Sequence, residues 1–145
     1  MSAADLPRRP RPAVNERNAP YWTSGADGRL VVQRCDAGDH LVHPPALLCP
    51  RDHNDELRWA ELSGRGHVES WTEVVHQWLP SVPAPYVLAF VTLDEDPTTR
   101  VLTALVGVEA DDVEVGMPVR VCFERVPDED GPDVYLPMFT PGEAP

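Results

Sequence analysis

The chain of 145 residues has no lysine, so every basic side chain is an arginine. That absence removes Schiff-base chemistry, which needs an ε-amine, and the lysine-dependent phosphate loop. Cysteine is scarce and odd in number, at three. With no apolar stretch near the N-terminus to act as a secretion signal, a disulfide framework is not expected, and reduced thiols or metal ligands are. No run of eighteen apolar residues exists, which leaves no membrane-spanning helix and points to a soluble, cytoplasmic protein. Positive charge is also short. Twelve arginines face 24 acidic residues for a formal net charge of -12. The first 18 residues carry a net of +2, which leaves -14 on the remainder. Such a body repels a phosphate backbone, whose binding depends on Lys and Arg displacing counterions, so nucleic acid is a poor partner and none is expected.

What is present reads as β structure. Residues 1–20 are rich in proline and arginine without apolar periodicity and are expected to form a disordered arm. Tyr21 and Trp22 open a short amphipathic stretch of one or two helical turns that ends at Gly28. Residues 29–34 alternate as a strand does, and residues 43–48 resemble its return strand, with prolines that bar a central place in a sheet. From residue 58 onward strand follows strand. Residues 65–78, 86–93, 100–106, 119–126 and 134–139 are separated by turn-forming clusters, which suits a five-stranded Greek-key barrel of the OB type. The expected organisation is an arm over 1–20, a helix and hairpin over 21–58, a barrel over 59–141 and a tail over 142–145.

Two short loops, Cys35-Asp-Ala-Gly-Asp-His40 and Cys49-Pro-Arg-Asp-His53, start as zinc-ribbon turns do. Where a ribbon places its second cysteine, the chain has Gly38 and Asp52. Elsewhere the chemistry-bearing residues read as structural. His67 and His76 sit an odd number of positions apart on one expected strand and so face opposite ways unless a bulge intervenes. Cys122 lies between Val121 and Phe123 with nothing nearby to activate it. The acidic clusters fall in turns and are assigned no chemistry. Trp22, Trp71, Trp78 and Tyr86 are the aromatic candidates for a protein interface, because Trp and Tyr dominate binding energy where they are exposed.

The ordered series Tyr21-Trp22, Leu30-Val-Val-Gln-Arg-Cys35, His43-Pro-Pro45, Cys49-Pro50, Trp59, Ser63-Gly-Arg-Gly66-His-Val68, Trp71-Thr72, Pro85-Tyr86 and Val115-Gly-Met-Pro-Val119 resembles the DUF35 family over residues 21–141. The resemblance implies an OB-fold with a rubredoxin-like zinc ribbon. It also implies an accessory role in hetero-oligomers with acyl-CoA enzymes, chiefly thiolase-like proteins, aldolases of the sterol-carrier thiolase type and some MaoC-like hydratases.

Against that family's pair of Cys-x-x-Cys turns, this chain keeps only the first cysteine of each. A four-ligand zinc site could be rebuilt from Cys35, His40, Cys49 and His53, while Asp39, His43 and Asp52 lie equally near in sequence and leave the ligand set open. The expectation is a ribbon that has lost its metal and is held by burial of Leu30, Val32, Leu41, Leu47 and Leu48, at roughly 1.5 to 3 kcal/mol for each fully buried side chain. The preferred function is a noncatalytic partner of a thiolase-fold aldolase or thiolase acting on acyl-CoA thioesters, with retro-aldol cleavage of a steroid side chain as one such reaction. An acyl-CoA-binding module is the alternative, with Arg65, Arg120 and Arg125 on the thioester's phosphates. An oligonucleotide-binding OB domain is the third reading, disfavoured by charge.

Overall fold

A computed structural model describes residues 9–128 and 130–142 of the chain. The arm from residue 9 onward lies on the barrel. Arg9 pairs with Glu124 at 2.8 Å, Arg11 pairs with Asp128 at 2.8 Å and donates to Pro132 O, and Val14 packs beside Val126 and Val134. The surplus of arginine in this segment meets an acidic body, which is the physical reason residues 9–20 differ from a free arm. Residues 1–8 and the tail from 143 fall outside the described residues.

Helix α1 (Ala19–Thr23) starts at a proline in its first turn, where a missing N–H costs nothing, and passes through a 3-10 turn to Gly28, whose φ of 72° ends it. The chain then enters strands β1 (Leu30–Cys35), β2 (His40–Val42) and β3 (Leu57–Leu62), which form an antiparallel sheet in the order β2-β1-β3. This corrects two expectations. The return strand is residues 40–42 rather than 43–48, because Pro44 and Pro45 lack the donors a ladder needs. Segment 57–62 pairs with β1 along its whole length, Leu30 opposite Leu62 and Cys35 opposite Leu57, so it completes the ribbon sheet.

Strands β4 (Arg65–Val74), β5 (Tyr86–Leu93), β6 (Asp96–Leu105), β7 (Pro118–Val126) and β8 (Val134–Pro141) close into a barrel in the order β4-β5-β6-β8-β7. One pairing is parallel, Leu105 with Phe139, and the rest are antiparallel, as in an OB-fold. The five barrel strands are those expected, with β4 shorter, so that His76 lies beyond its end, and with a bulge between Val68 and Ser70. Val68, Val91, Leu93, Val101, Val119 and Phe139 fill the barrel, and Leu30, Val32 and Leu41 of the ribbon sheet join the same cluster. At the junction Gly64 (φ 78°) brings its carbonyl to Val121 N at 2.7 Å, and a Cβ there would lie 2.5 Å from Val121 Cγ1. No helix among the described residues is long and apolar enough to cross a membrane.

Candidate functional site

The ribbon's two turns meet at one point. Cys35 ends β1, Asp39 takes a left-handed φ of 53°, and His40 opens β2 with its ring directed back toward the turn. Cys49 heads the second turn, which is closed by His53 N to Cys49 O and Cys49 N to Asn54 O, both 2.9 Å. One ligand atom from each of Cys35, His40, Cys49 and Asp52 lies within 4.8 Å of all the others. His40 Nε2 is 3.0 Å from Cys49 Sγ and 3.9 Å from Asp52 Oδ2, and Asp52 Oδ2 is 3.4 Å from Cys35 Sγ and 3.9 Å from Cys49 Sγ. Bond lengths of about 2.0 to 2.3 Å to zinc imply ligand separations of roughly 3.3 to 3.8 Å across a tetrahedron, so this donor set fits the ion that ribbons hold.

His53 is not part of the group. Its φ of 57° turns the residue outward, it is exposed, and Asp52 supplies the fourth donor instead. The signal for Asp52 was in the spacing, because Cys49-Pro-Arg-Asp52 keeps the two-residue gap of a ribbon turn. The candidates Asp39 and His43 are likewise outside the group.

The environment favours an ionised thiol at Cys49. Burial pushes it up, but the Asp52 and Arg51 amides, His40 and Cys35 outweigh that and bring it down to about 7. Its bond to Cys49 is the main reason the His40 imidazole titrates above its ordinary value, against the opposing effect of burial. The Cys35 thiol is pushed up, first by burial. A cysteine beside a histidine could suggest a nucleophile, yet Cys35 and Cys49 expose none of their surface and the His40 side chain only 10%. The two thiols and the imidazole are enclosed as ligands are, and only the Asp52 carboxylate, 38% exposed, reaches solvent. Gln33 holds the intervening loop, accepting from Ala46 N at 2.7 Å and donating to Ala46 O at 3.2 Å. Leu47 and Leu48, expected to be buried, are 67% and 54% exposed. Apolar packing at this end of the ribbon comes down to Cys35, Val42 and Cys49 with Ala46 and Leu57 beside them.

Of the three arginines assigned to phosphates, Arg65 and Arg120 stand opposite each other across β4 and β7 and line one cleft. Arg125 lies farther along β7 and is paired with Asp133 at 2.7 Å. Among the interface candidates, Trp71 and Trp78 are 37% and 72% exposed, with Trp78 against His76 at 4.5 Å between ring centres. Tyr86 is half-buried opposite Val74, and Trp22 is half-buried, edge-on to Tyr21 at 4.8 Å and packed on the core. Trp71, Leu88, Phe90 and Leu102 line one shallow apolar depression of about 230 Å³. Phe90 and Leu102, opposite each other on β5 and β6, were missed because the nearly continuous apolar run of β5 hides which residues point outward.

A deeper cleft of about 540 Å³ lies between α1 and the barrel, walled by Tyr21, Trp22, His43, Phe90 and Arg100. His43 Nδ1 is buried there with no hydrogen-bond partner among the described residues, and burial lowers the imidazole to about 4, leaving it neutral at pH 7.

Comparison with known proteins gives a consistent result. Residues 22–58 match the family model of the ChsH2 rubredoxin-like zinc ribbon domain and residues 59–124 that of the ChsH2 C-terminal OB-fold domain. A probable enoyl-CoA hydratase alpha subunit of Thermomonospora curvata is 40% identical over 92% of this chain; the chain spans only 40% of that relative's length. A DUF35 domain-containing scaffold protein of Pyrococcus furiosus is 35% identical, with 83% of this chain and 90% of the relative covered. Among solved structures, a chain of the Ltp2-ChsH2(DUF35) aldolase is 38% identical with a TM-score of 0.76, covering 90% of this chain and 98% of that one.

Proposed function

Because the chain belongs to the DUF35 family, we propose that it is a noncatalytic accessory subunit that docks on a thiolase-fold aldolase or thiolase and supports its action on acyl-CoA thioesters. The observation that carries this reading is the near-complete overlap with the DUF35 chain of an aldolase complex. Two features of the chain support it. Among the described residues, the one close Cys–His pair is shut inside the ribbon. The barrel also presents Trp71, Phe90 and Leu102 to solvent on adjoining strands, where a covering surface would remove them from water. Trp71, Trp78 and the half-buried Tyr86 and Trp22 are the anchors of this docking face. Reduced thiols at 35 and 49 fit a cytoplasmic assembly.

In this reading Cys35, His40, Cys49 and Asp52 hold zinc. The bound ion supplies a cross-link between the two turns and, with four protein donors, no open position for a substrate. An acyl-CoA-binding role of its own has one observation in favour, the adjacent Arg65 and Arg120, and it loses Arg125 to Asp133. Retro-aldol cleavage of a steroid side-chain thioester is one reaction proposed for the complex, with thiolysis the other.

The test is co-expression with a thiolase-like partner, followed by assay of aldol cleavage and thiolysis on a steroid side-chain thioester and on a linear one. Cleavage of the steroid thioester only when both chains are present is expected, and Trp71→Ala is expected to weaken the complex by about 2 kcal/mol, roughly 30-fold. Thioester turnover by the isolated chain, abolished by changing one of its own side chains, would overturn the proposal.

A further inference from the structure

The chain departs from a four-cysteine ribbon in a different way at each turn. In the second turn the position is kept and the donor exchanged, since Asp52 stands where a cysteine would and its carboxylate reaches both Cys35 and Cys49. In the first turn the position itself is emptied. A Cβ built on Gly38 would run into the Asp52 carboxylate and the His40 ring. The space that a side chain at 38 would fill is shared by the Asp52 carboxylate and by an imidazole arriving from two residues later, with Nε2 3.0 Å from Cys49 Sγ. The left-handed turn at Asp39 directs the chain so that this ring folds back over Gly38.

We propose that Gly38 and His40 are one coupled replacement for a cysteine, and that with Asp52 they convert the ribbon into a two-thiolate, mixed-donor centre for a borderline divalent ion. Zn²⁺ is the resident, Co²⁺ substitutes for it, and the thiophilic ion Cd²⁺ is disfavoured relative to a thiolate-richer site. This rests on the zinc reading above. The reason is donor softness. Thiolates stabilise soft ions most, imidazole suits zinc and cobalt, and carboxylate oxygen favours harder ions, so each exchanged thiolate removes more affinity for Cd²⁺ than for Zn²⁺. Glycine at 38 then has a role that its backbone conformation does not require, because its φ is not in the left-handed region and the constraint comes from what occupies the space around it.

The experiment uses the full chain, stripped of metal and titrated with Co²⁺, Zn²⁺ and Cd²⁺. The wild type is expected to bind one Co²⁺ with a sulfur-to-cobalt band proportionate to two thiolates. Asp52→Cys should strengthen that band and raise the preference for Cd²⁺ over Zn²⁺ about tenfold or more. Gly38→Cys should lower Co²⁺ affinity by about 10- to 100-fold without adding a thiolate signature, because the new side chain collides with the Asp52 carboxylate and the His40 ring together. Gly38→Cys combined with His40→Ala should recover affinity and show three thiolates, since the ring is gone and the solvent-facing Asp52 carboxylate is free to swing clear of position 38. Near-ultraviolet circular dichroism of the barrel tryptophans separates these effects from unfolding. A Gly38→Cys variant with three thiolates and undiminished affinity while His40 is present would overturn the coupling. A wild type that prefers Cd²⁺ as strongly as Asp52→Cys does would overturn the selectivity. A wild type that binds neither Zn²⁺ nor Co²⁺ would overturn the zinc reading and this inference together, whereas either of the first two results leaves the zinc reading standing.

Discussion

Val68, Val91, Val101 and Phe139 show 1% exposure or less inside the barrel, whereas the far end of the ribbon encloses only Cys35, Val42 and Cys49. The barrel closes on apolar area, with strands that alternate between core and solvent. The ribbon is divided. Its near end gives Leu30, Val32 and Leu41 to the barrel's own cluster, and its far end brings together two thiols, an imidazole and a carboxylate with ligand atoms within 4.8 Å of one another. A small three-stranded sheet has too little surface to bury at both ends, which is the usual reason such units take a metal.

The sharpest way to break this contrast is to remove apolar volume where the two units share it. Phe139→Ala is expected to cost about 3 to 5 kcal/mol, measured by denaturant unfolding, because a fully buried ring leaves a cavity. Loss should appear in both units at once; a ribbon that unfolds separately while the barrel keeps its stability would show that the shared cluster does not couple them. A smaller and more local effect is expected from chelation. Metal removal should speed amide exchange about tenfold or more in residues 35–54 and leave β5, β6 and β8 protected. Equal protection with and without chelator would mean that packing alone holds the far end.

The smallest effect concerns the polar link between the units. Asp96, at the start of β6, accepts from Leu41 N at 3.1 Å, from Thr99 Oγ1 at 3.0 Å and from Thr98 through its amide and hydroxyl. Burial pushes the carboxyl up, but the hydrogen bonds from Thr98, Leu41 and Thr99 outweigh it and hold the group below the ordinary aspartate range. A depressed folded value means the contribution is fully present above the unfolded pKa of about 4 and is lost as pH falls through the folded value. Asp96→Asn should therefore cost about 1 kcal/mol at pH 7, a modest figure because the group is partly solvated, and the difference from wild type should vanish in acid. A difference that persists at pH 2 would assign the effect to something other than the charge.

The barrel was legible in the sequence because its information is local. Alternation over segments such as 65–74 and 119–126, with turn residues between, sets strand number and order without reference to anything distant. The proposed docking face was half legible: exposed Trp71 and Trp78 could be named, but Phe90 and Leu102 required the register of β5 and β6. The ribbon was least legible. Its cysteines were evident from spacing, yet His53 and Asp52 are neighbours in sequence, and only the backbone of the turn tells them apart.

The sequence by itself determined an acidic, lysine-free chain with five barrel strands and two cysteine-led turns, since charge, periodicity and turn chemistry are properties of short stretches. Tertiary structure alone decided that segment 57–62 completes the ribbon sheet, that the arginine-rich arm lies on β7 and β8, and that Asp52 rather than His53 joins His40 at the thiols. Those outcomes depend on the sign of φ at Asp39 and His53 and on pairings between residues far apart in the chain, and both are fixed only when the whole fold closes.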